Sequence, residues 1–120
     1  MGNSSTWCSA RTHNLGGADL TNAHLGSTRL PNVILTRARL SNARLISGDF
    51  SEADLAQADL RGADLLAAKL QGADLASADL RGAHLQAADL RGAYLVDALH
   101  DNATVVRIAS TDGETRGKWW

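Results

Sequence analysis

Leucine recurs at every fifth position from Leu15 to Leu95, and Phe50 is the one exception among these seventeen positions. A small residue, usually alanine, stands two positions before most of them, and a polar residue, most often aspartate, stands between. In an α-helix a five-residue step rotates by about 140°, which would spread the leucines around the whole surface. In a flat strand successive leucines would alternate faces, because five is an odd number. The period therefore predicts a chain that winds around its own leucines.

Within one repeat, alanine and leucine lie two positions apart and share one face of a short extended segment. The two residues after each leucine must then turn the chain, and Gly or Asn often takes the second place, which suits the positive φ of a type II turn. The pairs of this kind are Gly16-Gly17, Thr21-Asn22, Pro31-Asn32, Ser41-Asn42, Arg61-Gly62, Gln71-Gly72, Arg81-Gly82 and Arg91-Gly92.

Other pairs in the C-terminal half lack such a residue, and they alternate with the glycine pairs at a ten-residue period. They are Ala56-Gln57, Leu66-Ala67, Ala76-Ser77 and Gln86-Ala87. The alternation predicts two corner types, with positive φ at the glycines and not at Gln57, Ala67, Ser77 and Ala87. An even number of sides per coil follows, and four is favoured.

The repeated string Ala-Asp-Leu-x-x, which extends from residue 13 to about 97, resembles the repeat of the pentapeptide-repeat proteins. The resemblance implies an all-β fold, a right-handed quadrilateral β-helix (β-solenoid) with four repeats per coil and about four coils. It also implies leucines in the core and small residues at the corners, but no single activity. Thr28, Val33 and Gly48 replace the corner alanine, so those coils are expected to be less regular. Gly48 removes a methyl group that would crowd Phe50.

The chain is short enough for a single domain, which divides into three segments. Residues 1–12 lack the repeat and are interpreted as an N-terminal tail or partial cap, in which Trp7 is a candidate plug over the first coil. Their start also fits a short N-myristoylation pattern with Cys8 as a second acylation site, but such matches arise often by chance and an ordinary tail is favoured. Residues 13–97 form the repeat region, and residues 98–120 a C-terminal cap or dimerisation segment.

The repeat frame breaks after Leu95, and the following segment suggests a hairpin. Val105 to Ile108 is predicted as a strand, Asp112-Gly113 as the turn and Thr115 to Trp120 as the return. The last leucine layer of a solenoid needs cover, and in the resembled family such segments also mediate dimers. The candidate end-cap or dimer contacts are Val105, Val106, Ile108, Trp119 and Trp120.

Composition and residue spacing do not favour nucleic-acid binding, a disulfide, a metal site or a membrane segment. The net charge of −1 does not favour direct nucleic-acid binding. A single cysteine excludes an internal disulfide and a cysteine-based zinc site, and no apolar run suggests a membrane segment. His24 and His84 share a side but are separated by three coils, too far to hold one metal ion. No catalytic, cofactor-binding or metal-binding residue is assigned, so the protein is expected to be a cytoplasmic non-enzyme without cofactors.

The outward Asp and Arg positions are interpreted as solvated, mutually compensated faces. Ile46 and Leu66 should stack outward on the third side and form the best candidate partner surface, although scattered exposed apolar side chains are also ordinary. The favoured function is a non-catalytic scaffold or protein-binding module of unknown partner. The alternative, which the resemblance suggests, is a DNA-mimicking topoisomerase (gyrase)-binding protein, and a spacer or fragment of a longer protein is a third reading. A mimic is expected to be strongly acidic, whereas arginines balance the charge here.

Overall fold

The computed structural model describes residues 13–107 and 109–120, and no helix occurs in these parts of the chain. Regular pairing consists of isolated parallel bridges, which join residues twenty positions apart from Asn14↔Ile34 to Asp79↔Leu99. Each bridging residue is the one between the small residue and the core leucine. Twenty residues, or four five-residue steps, therefore complete one coil.

The bridging residues form four columns, which define the sides of the coil. The first side holds Asn14, Ile34, Asp54, Asp74, Tyr94 and Arg116, and the second Asp19, Arg39, Asp59, Asp79 and Leu99. The third side holds His24, Arg44, Asp64, His84 and Val105, and the fourth Arg29, Asp49, Lys69, Asp89 and Ser110.

Backbone hydrogen bonds tie each coil to the next at every side. The amide of Leu60 donates to the carbonyl of Asp79 in the following coil at 2.9 Å, and the amide of Asp59 donates to the carbonyl of Ala38 in the preceding coil at 2.9 Å. Because each short extended segment pairs above and below, the stack has no free edge along its sides.

The core consists of the leucines and the small residues of the repeat, as their spacing predicts. From Leu35 to Leu95 the core leucines and Phe50 are at most 2% exposed, and the alanines two positions before them are equally buried. The first coil differs, because Leu15 is 37% exposed and Leu20 and Leu25 are only partly buried.

Phe50 fits into the leucine stack because Gly48 has no side chain. A Cβ on Gly48 would overlap Cε2 of Phe50 and would lie 3.1 Å from its Cδ2 and Cζ, inside normal contact distance. The expectation that Gly48 makes room for the larger ring is confirmed.

The second turn residue has positive φ at all seventeen corners from Gly17 to Asp97, so the prediction of two corner types is wrong. Gly62, Gly72, Gly82 and Gly92 have the predicted positive φ of 67° to 72°. The second turn residues expected at negative φ are also positive: Gln57 at 60°, Ala67 at 57°, Ser77 at 58° and Ala87 at 59°. Each corner must redirect the chain by the same angle into the next bridge. Closure of the coil therefore overrides the cost of about 1–2 kcal/mol that a non-glycine residue incurs in this region.

Replacing Ala67 with glycine is expected to raise the free energy of unfolding by about 0.5–1 kcal/mol. The substitution removes the left-handed strain, and the greater freedom of glycine in the unfolded chain offsets only part of that gain. The neighbouring Ala68 is buried and lacks positive φ, so Ala68→Gly serves as the control and is expected to destabilise. Denaturant titration measures both, and a loss of stability in Ala67→Gly would contradict the argument.

The C-terminal segment continues the solenoid, so the hairpin prediction is wrong. Val105 pairs in parallel with His84, Ser110 with Asp89 and Arg116 with Tyr94. The pairing distance along the chain grows from 20 to 21 residues after Leu99 and to 22 by Arg116. One extra residue is therefore inserted at each of two corners. The stack extends by a further coil beyond residue 97, where the repeat frame is lost in the sequence.

Candidate functional site

The first of the two enlarged corners is built by Asp101 and Thr104. Asp101 Oδ1 accepts hydrogen bonds from the amides of Ala103 and Gly82, both at 3.0 Å. Thr104 Oγ1 accepts from the amide of Asp101 at 3.0 Å and donates to the carbonyl of Leu80 at 2.8 Å. The side chains thus satisfy backbone groups of both the corner and the coil beneath, which is how the extra residue is accommodated.

The second enlarged corner repeats the same arrangement. Asp112 Oδ1 accepts from the amides of Glu114 and Gly92 at 2.9 Å, and Thr115 Oγ1 donates to the carbonyl of Leu90 at 2.8 Å. The last coil is therefore held to the one below by two copies of an Asp-x-x-Thr corner. The Asp-x-x-Thr spacing was visible in the sequence, but its role depends on the amides of Gly82 and Gly92, which lie 19 and 20 residues before Asp101 and Asp112.

The two corner aspartates are expected to make stability depend on pH. Desolvation acts to raise the pKa of Asp101 and of Asp112, but hydrogen bonds from backbone amides and from the corner threonine outweigh it, and each pKa is lowered. A carboxyl group whose pKa is lowered on folding stabilises the folded protein at pH values above its pKa in the unfolded chain, which is about 3.9. This contribution is lost as the pH falls toward the pKa of the folded state.

Thermal melts from about pH 7 to 3 should accordingly show a falling melting temperature below about pH 4. In the double variant Asp101→Asn/Asp112→Asn an amide oxygen still accepts the hydrogen bonds but does not titrate, so the fall should be shallower. Superimposable pH profiles for the two proteins would show that these corners do not contribute.

The residues predicted as end cap or dimer contacts occupy different positions at the C-terminal end. Val106 and Trp119 pack against the buried core. Trp119 stacks on His100 with ring centroids 4.4 Å apart and planes at 5°, and Trp120 meets Trp119 edge-on at 4.9 Å. Trp120 is 43% exposed, and Val105 is a half-buried bridging residue of the third side. Ile108, like Trp7 and Cys8 of residues 1–12, lies outside the described residues.

Ile46 and Leu66 follow the core leucines of the third side in consecutive coils. The amide of Ser47, next to Ile46, donates to the carbonyl of Leu66 at 2.9 Å, so the two corners lie directly one above the other. Leu66 is 39% exposed, whereas Ile46 is half-buried. The two residues form a small apolar surface that Gly26 borders below and Gln86 above.

Two further apolar side chains are exposed that were not among the candidate surface residues named from the sequence. Tyr94 is 45% exposed and Leu99 is 51% exposed, on the first and second sides of the last repeats. Both occupy the outward position after the small residue, so the repeat frame would have placed them on the surface. Leu99 lies beyond Leu95, the point at which the sequence predicts that the repeat frame breaks.

On the second and fourth sides, outward aspartates form ion pairs with arginines of the same side. Bidentate ion pairs join Arg61 to Asp59, Arg81 to Asp79 and Arg91 to Asp89, with shortest distances of 2.7, 2.6 and 2.6 Å. These hydrogen bonds lower the pKa of each of the three carboxyl groups. The aspartates of the second and fourth sides therefore present compensated charge rather than a continuous acidic strip.

The described residues contain no group of three His, Cys, Asp or Glu side chains placed to hold a metal ion. Within the same parts of the chain, no helix has the length and apolar character needed to cross a membrane.

Comparison with known proteins identifies the repeat. The family model described as pentapeptide repeats matches residues 14–51 and 49–86, with eight copies. No curated protein matches. A pentapeptide repeat protein from the cyanobacterium Cyanothece 51142 is 31% identical over 88% of this chain and 91% of its own, with a TM-score of 0.53.

More distant solved structures include a pentapeptide repeat protein from the Arabidopsis thaliana thylakoid lumen, 28% identical over 78% of this chain and 72% of its own, with a TM-score of 0.35. A trypsin-treated variant of QnrB1, a plasmid-mediated fluoroquinolone resistance protein, is 20% identical over 82% of this chain and 60% of its own, with a TM-score of 0.39. Proteins of this repeat form right-handed β-helices. The family match covers more than half of the sequence, and the parallel bridges follow its five-residue period, so the chain belongs to the pentapeptide repeat family.

Proposed function

We propose that this protein is a non-catalytic scaffold that binds a protein partner through the surface formed by Ile46 and Leu66. The scaffold is a right-handed quadrilateral β-helix with four repeats per coil and about four coils in residues 13–97. The observation that carries the proposal is the outward stacking of two aliphatic side chains in adjoining coils, with Leu66 39% exposed. The single cysteine and ordinary charge balance suit a cytoplasmic protein.

The rigid coils support this role. Ile46 and Leu66 belong to corners that are hydrogen-bonded to neighbouring coils, so little conformational entropy is lost when a partner covers them. Ser47 and Ala67, the second turn residues beside them, are small, which leaves the two aliphatic side chains accessible from outside. Small apolar contacts of this kind suit a modest or multivalent interaction.

The proposal also assigns residues 98–120 to an end cap, supported by the packing of Val106 and Trp119 against the core. If residues 98–120 form an end cap, the C-terminal end of the stack is covered by its own chain rather than by a second copy. Trp119→Ala should then lower the melting temperature by several degrees, since a large aromatic contact with the core is removed. Trp120→Ala is the matched control and should change it much less, whereas equal effects would argue against the cap.

The DNA-mimic alternative has weaker support. Asp59 and Asp79 of the second side and Asp89 of the fourth are paired with Arg61, Arg81 and Arg91, so these carboxylates do not imitate a phosphate backbone. The similarity to QnrB1 is too low to transfer its role. A gyrase supercoiling assay with purified protein tests the alternative directly, and inhibition or protection at micromolar protein would favour it over the scaffold.

The partner surface is tested by affinity capture followed by binding titration of the captured protein. Leu66→Asp should weaken binding about tenfold or more, because a charge replaces an apolar anchor at the centre of the contact. Leu99→Asp places the same charge on the second side and should leave binding unchanged. A partner that tolerates Leu66→Asp, or that is lost equally with both variants, would show that binding uses another surface.

A further inference from the structure

The apolar surface of Ile46 and Leu66 lies between charged side chains of both signs. The two residues occupy the corner that joins the third side to the fourth, in consecutive coils. Each of these coils places one basic and one acidic residue beside the corner, and the order is reversed between the two coils. They are Arg44 on the third side and Asp49 on the fourth in the coil of Ile46, and Asp64 on the third side and Lys69 on the fourth in the coil of Leu66. The four charges therefore alternate in sign around the apolar surface.

These four side chains remain available for an external contact. Opposite charges are neighbours within each column, yet none of the four takes part in an ion pair among the described residues. Arg44 and Lys69 are exposed. In each aspartate, Oδ1 accepts a hydrogen bond from the amide two residues later, at 3.1 Å for Asp49 and 3.2 Å for Asp64. This bond holds the carboxylate against its own corner, while Oδ2 accepts no hydrogen bond from the described part of the chain.

The arrangement is complementary to itself. A two-fold axis that crosses the stack at the middle of the apolar surface brings two copies together with their stacks antiparallel. Each third side then faces the partner's third side in reverse order, so Arg44 lies opposite the partner's Asp64. On the fourth side Asp49 lies opposite the partner's Lys69 in the same way. Because the symmetry repeats each contact, four ion pairs surround an apolar centre.

The remaining charges favour the antiparallel orientation over a parallel one. An axis along the stack would also bring unlike charges together beside the apolar surface. It would, however, place Arg107 on its own equivalent, since Arg107 is exposed at the same corner of the last coil, stacked on Ala87. Like charges that lie directly opposite are destabilising. The antiparallel arrangement avoids this contact and sets Arg29 of the fourth side opposite the partner's Asp89.

The basic side chains have the reach that a contact between two corners requires. The third and fourth sides slope away from the corner, so the flanking groups of two copies lie further apart than the apolar centres. Arg44 and Lys69 have long, flexible side chains that can cross this gap, whereas Asp49 and Asp64 are held in place. Two convex corners bury less area than a standard interface of roughly 1,600 Å², so the contact is expected to be weak and reversible.

We propose that the occupant of the surface formed by Ile46 and Leu66 is a second copy of this chain, bound in an antiparallel two-fold dimer. Reciprocal Arg44–Asp64 and Asp49–Lys69 ion pairs hold the two copies in register. The inference rests on the proposed function, since it names the partner of the same surface. The interface is isologous and uses one lateral corner of the stack, so it is independent of both ends.

Sedimentation analysis of the full chain across a micromolar to near-millimolar range tests the proposal. The wild-type protein is expected to dimerise, and Leu66→Asp should weaken the dimer about tenfold or more. Arg44→Asp should have an effect of similar size, because it turns two attractive pairs into two repulsive ones. The double variant Arg44→Asp/Asp64→Arg restores opposite charges across the antiparallel interface and should dimerise within about threefold of the wild type.

A second double variant, Arg44→Asp/Asp49→Arg, tests the orientation. In the antiparallel dimer it leaves like charges opposite each other on both sides, so it should dimerise no better than Arg44→Asp alone. In a parallel dimer it would restore the opposite charges instead. Recovery of the dimer by this variant and not by Arg44→Asp/Asp64→Arg would overturn the antiparallel arrangement.

Arg39→Asp reverses a charge at the equivalent position of the second side and is the matched control, expected to leave the dimer intact. Circular dichroism establishes that each variant keeps its fold. The corresponding reversals of Asp49 and Lys69 replace those of Arg44 and Asp64 if the latter do not fold. A dimer that tolerates both Leu66→Asp and Arg44→Asp, or that is lost equally with Arg39→Asp, would overturn the proposal.

The oligomeric state also separates this proposal from the scaffold function on which it rests. A wild-type protein that is monomeric at every concentration, but whose captured partner still depends on Leu66, would overturn the dimer and leave the scaffold function standing. A monomer whose captured partner also tolerates Leu66→Asp would contradict both.

Discussion

Replacing Leu60 with alanine is expected to lower the free energy of unfolding by about 2–5 kcal/mol. Leu60 is 0% exposed and lies in the second-side stack between Leu40 and Leu80. Part of the loss is the transfer free energy of the removed carbons, and the rest is the cavity that remains. Hydrogen bonds of 2.9 Å to the coils above and below hold the backbone in place, so the walls of the cavity cannot close.

Leu15→Ala provides the matched control for this experiment. The substitution is identical and the residue occupies the same position in its repeat, but Leu15 is 37% exposed in the first coil. It is therefore expected to cost about 1 kcal/mol or less, because less apolar area is lost from the core and no closed cavity forms. Equal losses in the two variants, measured by denaturant titration, would contradict the description of a core that tightens away from the N-terminal end.

The second large effect is expected at Gly48. Gly48→Ala restores the alanine found in most repeats, yet it should destabilise the protein by about 1–3 kcal/mol. The added methyl group would overlap Cε2 of Phe50, whose ring is 1% exposed and has no free volume in which to move. A substitution toward the common repeat is therefore predicted to be harmful at this one corner.

A double-mutant cycle tests whether the destabilisation by Gly48→Ala comes from the clash with Phe50 or from the replacement of glycine as such. Phe50→Leu alone should cost about 1 kcal/mol, since a smaller side chain leaves the space beside Gly48 unfilled. The double variant Gly48→Ala/Phe50→Leu recreates the regular repeat and should recover most of the wild-type stability. The expected coupling is about 1–3 kcal/mol in favour of the double variant. Simple additivity of the two losses would show that Gly48 and Phe50 act independently.

The buried set of this protein follows from the sequence alone. A five-residue period in leucine is compatible with neither a helix nor a flat strand, so the placement of Leu35 to Leu95 inside the coil was predictable residue by residue. The positive φ of Gly62, Gly72, Gly82 and Gly92 was predictable too, because glycine marks the turn position where other residues are strained. The accommodation of Phe50 by Gly48 required only the spacing of two residues within one repeat.

The corners without glycine and the end of the stack depended on tertiary structure. Gln57, Ala67, Ser77 and Ala87 carry no local preference for positive φ, and they adopt it because every corner must deliver the chain to a bridge twenty residues away. The outward surface likewise depends on which residues the coil brings into register. Ile46 and Leu66 are neighbours only because their corners stack.

The last coil shows most clearly that local sequence signals do not reveal pairing between coils. Asp112-Gly113 is a good hairpin signal in isolation, but Asp112 accepts a hydrogen bond from the amide of Gly92, and Arg116 pairs in parallel with Tyr94. Sequence period determined what this chain buries, because burial repeats locally with each leucine. Only the tertiary structure decided how the corners without glycine turn and that the coil continues beyond residue 97, because both depend on hydrogen bonds to a coil that lies about twenty residues earlier.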